Sequence, residues 1–411
     1  MSASGEDGET MEARPAEPDF GRLSLSAVLR GVIFALVGVG LVVGMHWYIG
    51  ARLIAGLRLA GTSADAVWGA IALLFLTTFA GFFARRLRRP FATPLRFMSY
   101  GWMGMFTLLA SGLAAVDLLS LLVALARGQD LAARWGPSEV IAALAIVLPA
   151  FVWGMIRALG PARIERVEVP IASLPEALQG YRIVQISDLH IGEILGRAFT
   201  ARVVRQVNAL APDAIAVTGD LADGHVETTR DQVEPLGELK ARDGIFFITG
   251  NHEYFNGLHG WLAAVRQLGM EILLNEHRVI QRGEARLVIA GVTDYDGGDF
   301  VAGHASSPSA ALAGSPDGAP RILLAHQPRT AFDAQQLRVD LQLSGHTHGG
   351  QFFPWKYLVR LQQPVLAGLK MIGSVPVYTH RGTGFWGPPL RLLAPPEIAE
   401  ITLVRSPPQP R

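Results

Sequence analysis

Gly345-His346-Thr347-His348-Gly349-Gly350-Gln351 sets two imidazoles one residue apart. In extended backbone alternate side chains leave on the same side, so this spacing aims both rings into one site. Imidazole is the commonest neutral nitrogen ligand for first-row divalent ions, and the flanking glycines allow close approaches that a Cβ forbids. Alone, the heptad also reads as a polar glycine turn, so partners elsewhere in the chain must decide. Upstream lie Asp188-Leu189-His190, Gly219-Asp220, Gly250-Asn251-His252-Glu253 and His326. Each motif follows a short apolar run, at 182–186, 214–217, 245–248, 322–324 and, for the heptad itself, 341–343. Such runs read as buried parallel strands. Polar groups at the carboxyl ends of successive strands gather at one edge of an α/β sheet, where such folds place their sites.

Helical patterns at 197–210, 229–241, 258–268 and 330–336 alternate with these runs, which predicts βαβ units and a layered α/β domain. Further strands are expected at 166–171 and 286–292, with 375–379 and 397–404 as strands of a second sheet. The stretch 294–320, rich in Gly, Ala, Ser and Pro, reads as a mobile surface insertion.

The remainder has another character. Of 411 residues, 50% are hydrophobic and 17% charged, against roughly a quarter charged in soluble domains. The mean hydropathy is +0.30. Four apolar runs, 31–49, 66–83, 98–124 and 140–155, are near or above the ~18 residues that cross a bilayer. This predicts an acidic disordered tail at 1–24, a membrane domain with four transmembrane helices at 25–160, a soluble domain at 161–405 and a short tail at 406–411. Asp117, inside the third run, is either a functional group or a residue near the outer interface. A net charge of +1 gives no argument for nucleic-acid binding, and the lack of cysteine excludes disulfides and thiolate metal sites.

Arginines are unevenly shared. Arg14, Arg22, Arg30, Arg85, Arg86, Arg88, Arg89, Arg96, Arg157, Arg163 and Arg166 fall on one side of the four runs, and Arg52, Arg58, Arg127 and Arg134 on the other. The positive-inside rule then places the soluble domain in the cytoplasm, at the plasma (inner) membrane. If the fourth run, which holds Pro149, did not insert, three spans would put that domain outside.

The motif series D-x-H, G-D-x-x-D, G-N-H-[DE], H and G-H-x-H resembles the calcineurin-like metallophosphoesterases, over about 166–403, and within them the membrane-associated subgroup similar to YkuE and YaeI. The resemblance implies a four-layer sandwich of two mixed sheets flanked by helices. It implies two divalent ions, Mn, Fe or Zn, with Asp188, His190 and His348 holding one, Asn251, His326 and His346 the other, and Asp220 bridging. Two such ions clamp a phosphoryl oxygen and lower the pKa of a bridging water, making hydroxide available near neutral pH. By the same resemblance His252 is no ligand but faces the leaving group, where it donates a proton while Asp223 orients it. Glu253 is expected to brace its loop. Asp223 is followed by Gly224, where the protein Ser/Thr phosphatase branch has Arg, which weighs against phosphoprotein substrates.

Two classes of function use these residues: a membrane-anchored hydrolase of phosphate mono- or diesters, and a membrane sensor or scaffold whose metal site is not catalytic. The complete ligand set favours the hydrolase. The subgroup and the membrane anchor suggest a lipid-linked phosphodiester or pyrophosphate, of the UDP-diacylglucosamine kind, with cyclic nucleotides as the alternative and a role in lipid metabolism as the setting.

Overall fold

The structure, a computed structural model, describes residues 25–84, 89–128, 136–172 and 174–406. The acidic tail expected at 1–24, Arg85, Arg86, Arg88 and Arg134, and residues 407–411 of the final tail lie outside these. The chain divides into two compact units, Met1–Val43 and Gly44–Arg411. The first holds the start of helix α1 (Leu25–Gly56), and all contacts described below belong to the second.

Helices α1, α2 (Thr62–Phe83), α3 (Arg89–Arg127) and α4 (Pro137–Leu159) are each long and apolar enough to cross a membrane. Their burial pattern is inverted relative to a soluble bundle. Leu73, Leu76, Leu119, Leu122, Ile146 and Trp153 are exposed, while polar groups turn inward, where apolar solvent cannot satisfy them. The Ser99 hydroxyl donates to the Thr78 carbonyl at 2.9 Å, and Trp102 Nε1 donates to His46 Nε2 at 2.9 Å. A Cβ on Gly112 would lie 2.5 Å from Val147 Cγ2, so α3 and α4 approach as closely as small residues permit. The fourth run forms a 23-residue helix with Pro149 inside it.

Asp117 finds its partner in α1. Its carboxylate accepts from Arg52 Nε at 2.7 and 3.0 Å and from the Tyr48 hydroxyl at 2.7 Å. Arg52, expected in an outer loop, thus lies within the helix, 2% exposed and bound to a carboxylate. Its charge belongs to the packing of the bundle rather than to the arginine asymmetry.

Beyond α4 the chain forms twelve strands and seven more α-helices: β1 (Arg163–Ile171), β2 (Tyr181–Ile186), α5 (Arg197–Ala209), β3 (Ala214–Val217), α6 (Val226–Val233), β4 (Ile245–Phe247), α7 (Asn251–Phe255), α8 (Leu258–Gln267), β5 (Glu271–Ile272), β6 (Glu276–Arg282), β7 (Ala285–Gly291), α9 (Gly297–Phe300), α10 (Pro308–Leu312), β8 (Arg321–Leu324), β9 (Leu341–Ser344), α11 (Trp355–Gln362), β10 (Gly368–Ile372), β11 (Val375–Thr379) and β12 (Glu397–Arg405). They build two mixed six-stranded sheets, ordered β1-β12-β2-β3-β4-β5 and β10-β11-β9-β8-β7-β6. Ile183, Ala216, Phe246, Leu287, Ile322 and Leu343 belong to the core between the sheets. Val204, Trp261 and Val265 of α5 and α8 cover the outer face of the first sheet, and Ala311, Leu312 and Ala331 that of the second. Strand β3 is buried at every residue, as are β9 and most of β2 and β8, which is why these strands read as mainly apolar runs, broken only by Arg182, Gln185 and Gln342.

Several expectations are corrected. Residues 397–404 belong to the first sheet, where β12 pairs parallel with β1 and antiparallel with β2. The helix expected at 229–241 stops at Val233, because Pro235 imposes a tighter 3₁₀ turn over Glu234–Glu238. The pattern at 330–336 yields only a 3₁₀ turn, Pro328–Phe332. The 294–320 stretch is no loose insertion: α10 buries Ala311 and Leu312 against the second sheet. Strands β5, β6 and β10 and helix α11 were not legible in the periodicity.

A buried ion pair deprived of one member is costly, by roughly 3–5 kcal/mol. Asp117→Ala should therefore lower unfolding stability in mixed detergent micelles by about that amount, and the double substitution Arg52→Leu, Asp117→Leu should recover most of it. A double variant as unstable as the single one would show that the pair itself, rather than the cost of an unpaired charge, carries the stability.

Candidate metal centre

The expected ligands converge where strand ends face one another across the two sheets. Asp188 and His190 follow β2, Asp220 follows β3, Asn251 opens α7 after β4, His326 follows β8, and His346 and His348 follow β9. Asp188, His190, Asp220, His326 and His348 are buried, and Asn251 and His346 are half-buried.

The rings converge for a different reason from the one the one-apart spacing suggests. Asp188 (φ 52°), His190 (φ 46°), Asp220 (φ 53°), His346 (φ 68°) and His348 (φ 50°) all sit in the left-handed region rather than in extended backbone. Such conformations cost non-glycine residues on the order of 1–3 kcal/mol each and persist only where the surroundings over-determine them. Here backbone hydrogen bonds do so: Asp188 N donates to Gly219 O at 3.0 Å, His190 N to Asp220 O at 3.2 Å and Gly345 N to His326 O at 2.8 Å. Two glycines are required by space. A Cβ on Gly345 would fall 2.3 Å from Asp188 Oδ2, and one on Gly250 2.3 Å from Asp220 Oδ1.

Glu253 braces this layer. Its carboxylate accepts from the amides of Gly250 (2.7 Å), Leu221 (2.8 Å) and Asp220 (3.0 Å), reaching back from the first turn of α7 to the amide of the residue that precedes the helix. Burial, with the nearby Asp220 charge, lifts its pKa to about 7.

Hydrogen bonds outside the cluster fix which nitrogen His326, His190 and His348 present. His326 Nδ1 donates to the Thr218 carbonyl at 2.7 Å, so its Nε2 faces Asp220 Oδ2 at 3.3 Å and His346 Nδ1 at 3.3 Å. Burial pushes the His326 imidazole down, but Asp220, first among the nearby carboxylates, outweighs it and raises the ring well above its usual value. His190 Nδ1 donates to Asp223 at 2.8 Å, turning Nε2 toward His348 Nε2 at 3.0 Å. His346 Nδ1 lies 3.1 Å from Asn251 Oδ1. Burial lowers the His346 imidazole to about 3, and burial together with the Arg391 charge holds His348 well below its usual value. Both rings are neutral. Asp220 is held well below the usual carboxylate range: burial opposes this, and the surrounding imidazoles, His326 first, outweigh it.

Asp223 grips a second ring, His252, whose Nδ1 is also 2.8 Å from Asp223 Oδ1. Burial pushes His252 down, but Asp220 and Asp223 outweigh it and lift the imidazole to about 9, so it is protonated at neutral pH. His190 and His252 in turn hold Asp223 below its ordinary range against the effect of burial. The His252 ring packs edge-on to His190, at 4.6 Å between centroids, and to Trp386, at 6.1 Å.

Among the described residues, three overlapping groups of His and carboxylate atoms lie close enough to hold a cation: Asp188, His190 and His348; His190, Asp220 and His252; Asp220, His326 and His346. Two buried carboxylates ringed by imidazoles and a side-chain amide form an N/O donor set suited to first-row divalent ions. The residues fit metal ions.

Arg391 carries no motif and was not foreseen. Fully buried, it donates to the carbonyls of Arg381 (2.7 Å), His348 (2.8 Å) and Gly384 (3.0 Å), and its Nη2 faces His348 Nδ1 at 2.9 Å. A guanidinium only donates, so the His348 ring proton sits on Nε2, and binding an ion there requires that proton to leave or move. Trp386 was missed as well. Both lie some forty residues past the heptad, in a loop without periodicity.

The arrangement is that of a metal-dependent phosphoester hydrolase. Residues 181–350 match the model of the calcineurin-like phosphoesterase family. Over 374 residues the chain is 34% identical to a Danio rerio transmembrane protein with metallophosphoesterase domain, spanning 88% of this chain and 86% of that one. It is 38% identical over 265 residues to the Bos taurus protein of the same name, spanning 62% and 60%, and 31% identical over 260 residues to the Bacillus subtilis metallophosphoesterase YkuE, spanning 61% and 89%. The chain belongs to the transmembrane members of the calcineurin-like metallophosphoesterases.

Removing Arg391 leaves buried carbonyls without a donor, at ~1–3 kcal/mol each, and frees the His348 ring. Arg391→Met is expected to lower thermal stability and metal content together, read by calorimetry and elemental analysis. Unchanged metal content would show that Arg391 serves packing alone.

Proposed function

We propose that this protein is a membrane-anchored phosphohydrolase with two divalent ions, acting on a phosphate mono- or diester of a lipid-linked substrate. The observation that carries the reading is the place of Asp220. It belongs both to the group with His190 and to the group with His326 and His346, as a carboxylate shared by two ions must. Asp188, His190 and His348 would hold one ion and Asn251, His326 and His346 the other. Such a pair, when bound, clamps a phosphoryl oxygen and supplies hydroxide from water near neutral pH.

The chain's own residues supply the remaining chemistry. His252, protonated and with Nδ1 bound to Asp223, keeps its Nε2 proton for the departing oxygen. Because Asp223 also binds His190, one carboxylate sets the orientation of both rings. With hydroxide supplied from water, no protein nucleophile is needed.

The membrane domain at 25–160 serves as the anchor for the catalytic domain at 161–405. The arginine asymmetry favours a cytoplasmic catalytic domain at the inner leaflet of the plasma membrane. The ion pair between Arg96 of α3 and Glu193 at 3.2 Å supports this, since it holds the arginine-rich start of α3 beside the catalytic domain. Alkaline phosphatase and green fluorescent protein fused after Arg411 should give a fluorescent, phosphatase-inactive pattern; the opposite pattern reverses the orientation.

Two substitutions separate the roles within the site. With the full chain in nanodiscs, Mn²⁺ and a bis-aryl phosphodiester, Asp220→Asn should abolish both turnover and metal binding. His252→Gln should keep its metal yet slow esters of poor leaving groups by roughly 10²–10⁴-fold, and aryl esters less. Loss of metal from the His252 variant would make it a ligand, and an intact, metal-loaded wild type without turnover would leave a sensor or scaffold.

A further inference from the structure

Helix α11 begins four residues beyond the metal-site heptad and buries none of its residues. Trp355, Leu358 and Leu361, three apart and so on one face, are 42%, 53% and 85% exposed, while Lys356 and Arg360, four apart, lie on another. A short helix with an uncovered aromatic and aliphatic face and a cationic flank has the pattern of one that lies in a membrane interface. Leu393 adds to the surface: it is 89% exposed and held at φ 65°, so neither burial nor backbone preference explains a leucine there.

The fold ties both elements to the transmembrane helices. Arg391 N donates to the Gly154 carbonyl of α4 at 3.0 Å. Leu390 packs so closely on α3 and α4 that a Cβ on Gly154 would lie 2.5 Å from its Cδ1, and one on Gly104 3.3 Å from its Cδ2. Gly154 is five residues, about 7.5 Å, inside the end of α4, within the stretch apolar enough to span a bilayer. The loop carrying Trp386 and Leu393 therefore reaches the edge of the hydrocarbon. Gln351 binds this loop to the start of α11: its side chain donates to Trp386 O at 2.9 Å and Pro388 O at 3.1 Å and accepts from Trp386 N at 3.1 Å, while its carbonyl accepts from Leu392 N at 3.0 Å.

We propose that α11 and the 386–393 loop form a second membrane-contact surface, lying in the headgroup and upper acyl region of the bilayer that holds α1–α4. Aromatic side chains are favoured at that depth, and Lys356 and Arg360 suit anionic headgroups. Trp386 touches His252 from this surface, so the site opens at the level of lipid phosphates. The contact surface itself does not depend on the catalytic reading.

The chain has no cysteine, so single cysteines can be labelled without background. Leu361→Cys, Leu393→Cys and, as control, Glu284→Cys, in the exposed turn before β7 at the end of the strand away from the metal site, are each given an environment-sensitive fluorophore in full-length protein in nanodiscs. Shallow doxyl-labelled lipids should quench Leu361→Cys and Leu393→Cys at least twofold and leave Glu284→Cys unchanged. Quenching at Leu393→Cys alone would remove α11 from the surface. Dyes open to aqueous iodide but not to doxyl lipid would mean a free surface, and dyes shielded from both would mean a protein cover such as a second copy. Either result overturns the proposal.

Discussion

The catalytic domain is arranged around one buried carboxylate. Asp220 is 3% exposed; its amide is held by Glu253, its Oδ1 accepts the His252 amide at 2.9 Å, and its Oδ2 faces His326 at 3.3 Å and His190 at 3.8 Å. A charge so buried is tolerated only when nearby groups compensate it. Strand ends from both sheets bring those groups, which is why the sandwich closes at this point. Five neighbours of the site in left-handed backbone and two glycines with no room for a Cβ are the local consequence.

Around that carboxylate, three of the rings are steered by a partner that is not itself in the cluster. The Thr218 carbonyl fixes His326, Asp223 fixes His190, and Arg391 abuts His348. Asp223 serves His190 and His252 at once, so the orientation of a metal-facing ring and that of a protonated one are coupled through a single carboxylate. Arg391 has a comparable double position: its side chain holds the turn around His348 while its backbone amide binds α4. The membrane anchor and the metal site are thereby joined across one residue.

Within the bilayer helices the same rule holds in another solvent. Arg52 and Asp117 are affordable there because they meet each other, and the polar side chains of Ser99 and Trp102 face neighbouring helices rather than lipid.

By itself the sequence determined the class of fold and the groups that meet in the site. Buried strands are largely apolar, so β2, β3, β8 and β9 showed as short, mainly apolar runs followed by polar residues; that β2 and β3 lie in one sheet and β8 and β9 in the other, with their ends facing across the site, left no local trace. Four apolar stretches were likewise dictated by the thickness of a bilayer. Short or half-exposed elements carry no such periodic signature, which is why β5, β6, β10 and α11 were not visible and why β12 was assigned to the wrong sheet: pairing partners far apart in sequence leave no local trace. Only the tertiary structure decided that the ligands converge through left-handed turns rather than strand alternation, that Asp117 meets Arg52, and that Arg391 and Trp386 come from a remote loop to stand beside His348 and His252. Those relations are set by close packing between distant segments, and packing is a property of the folded chain rather than of any window of sequence.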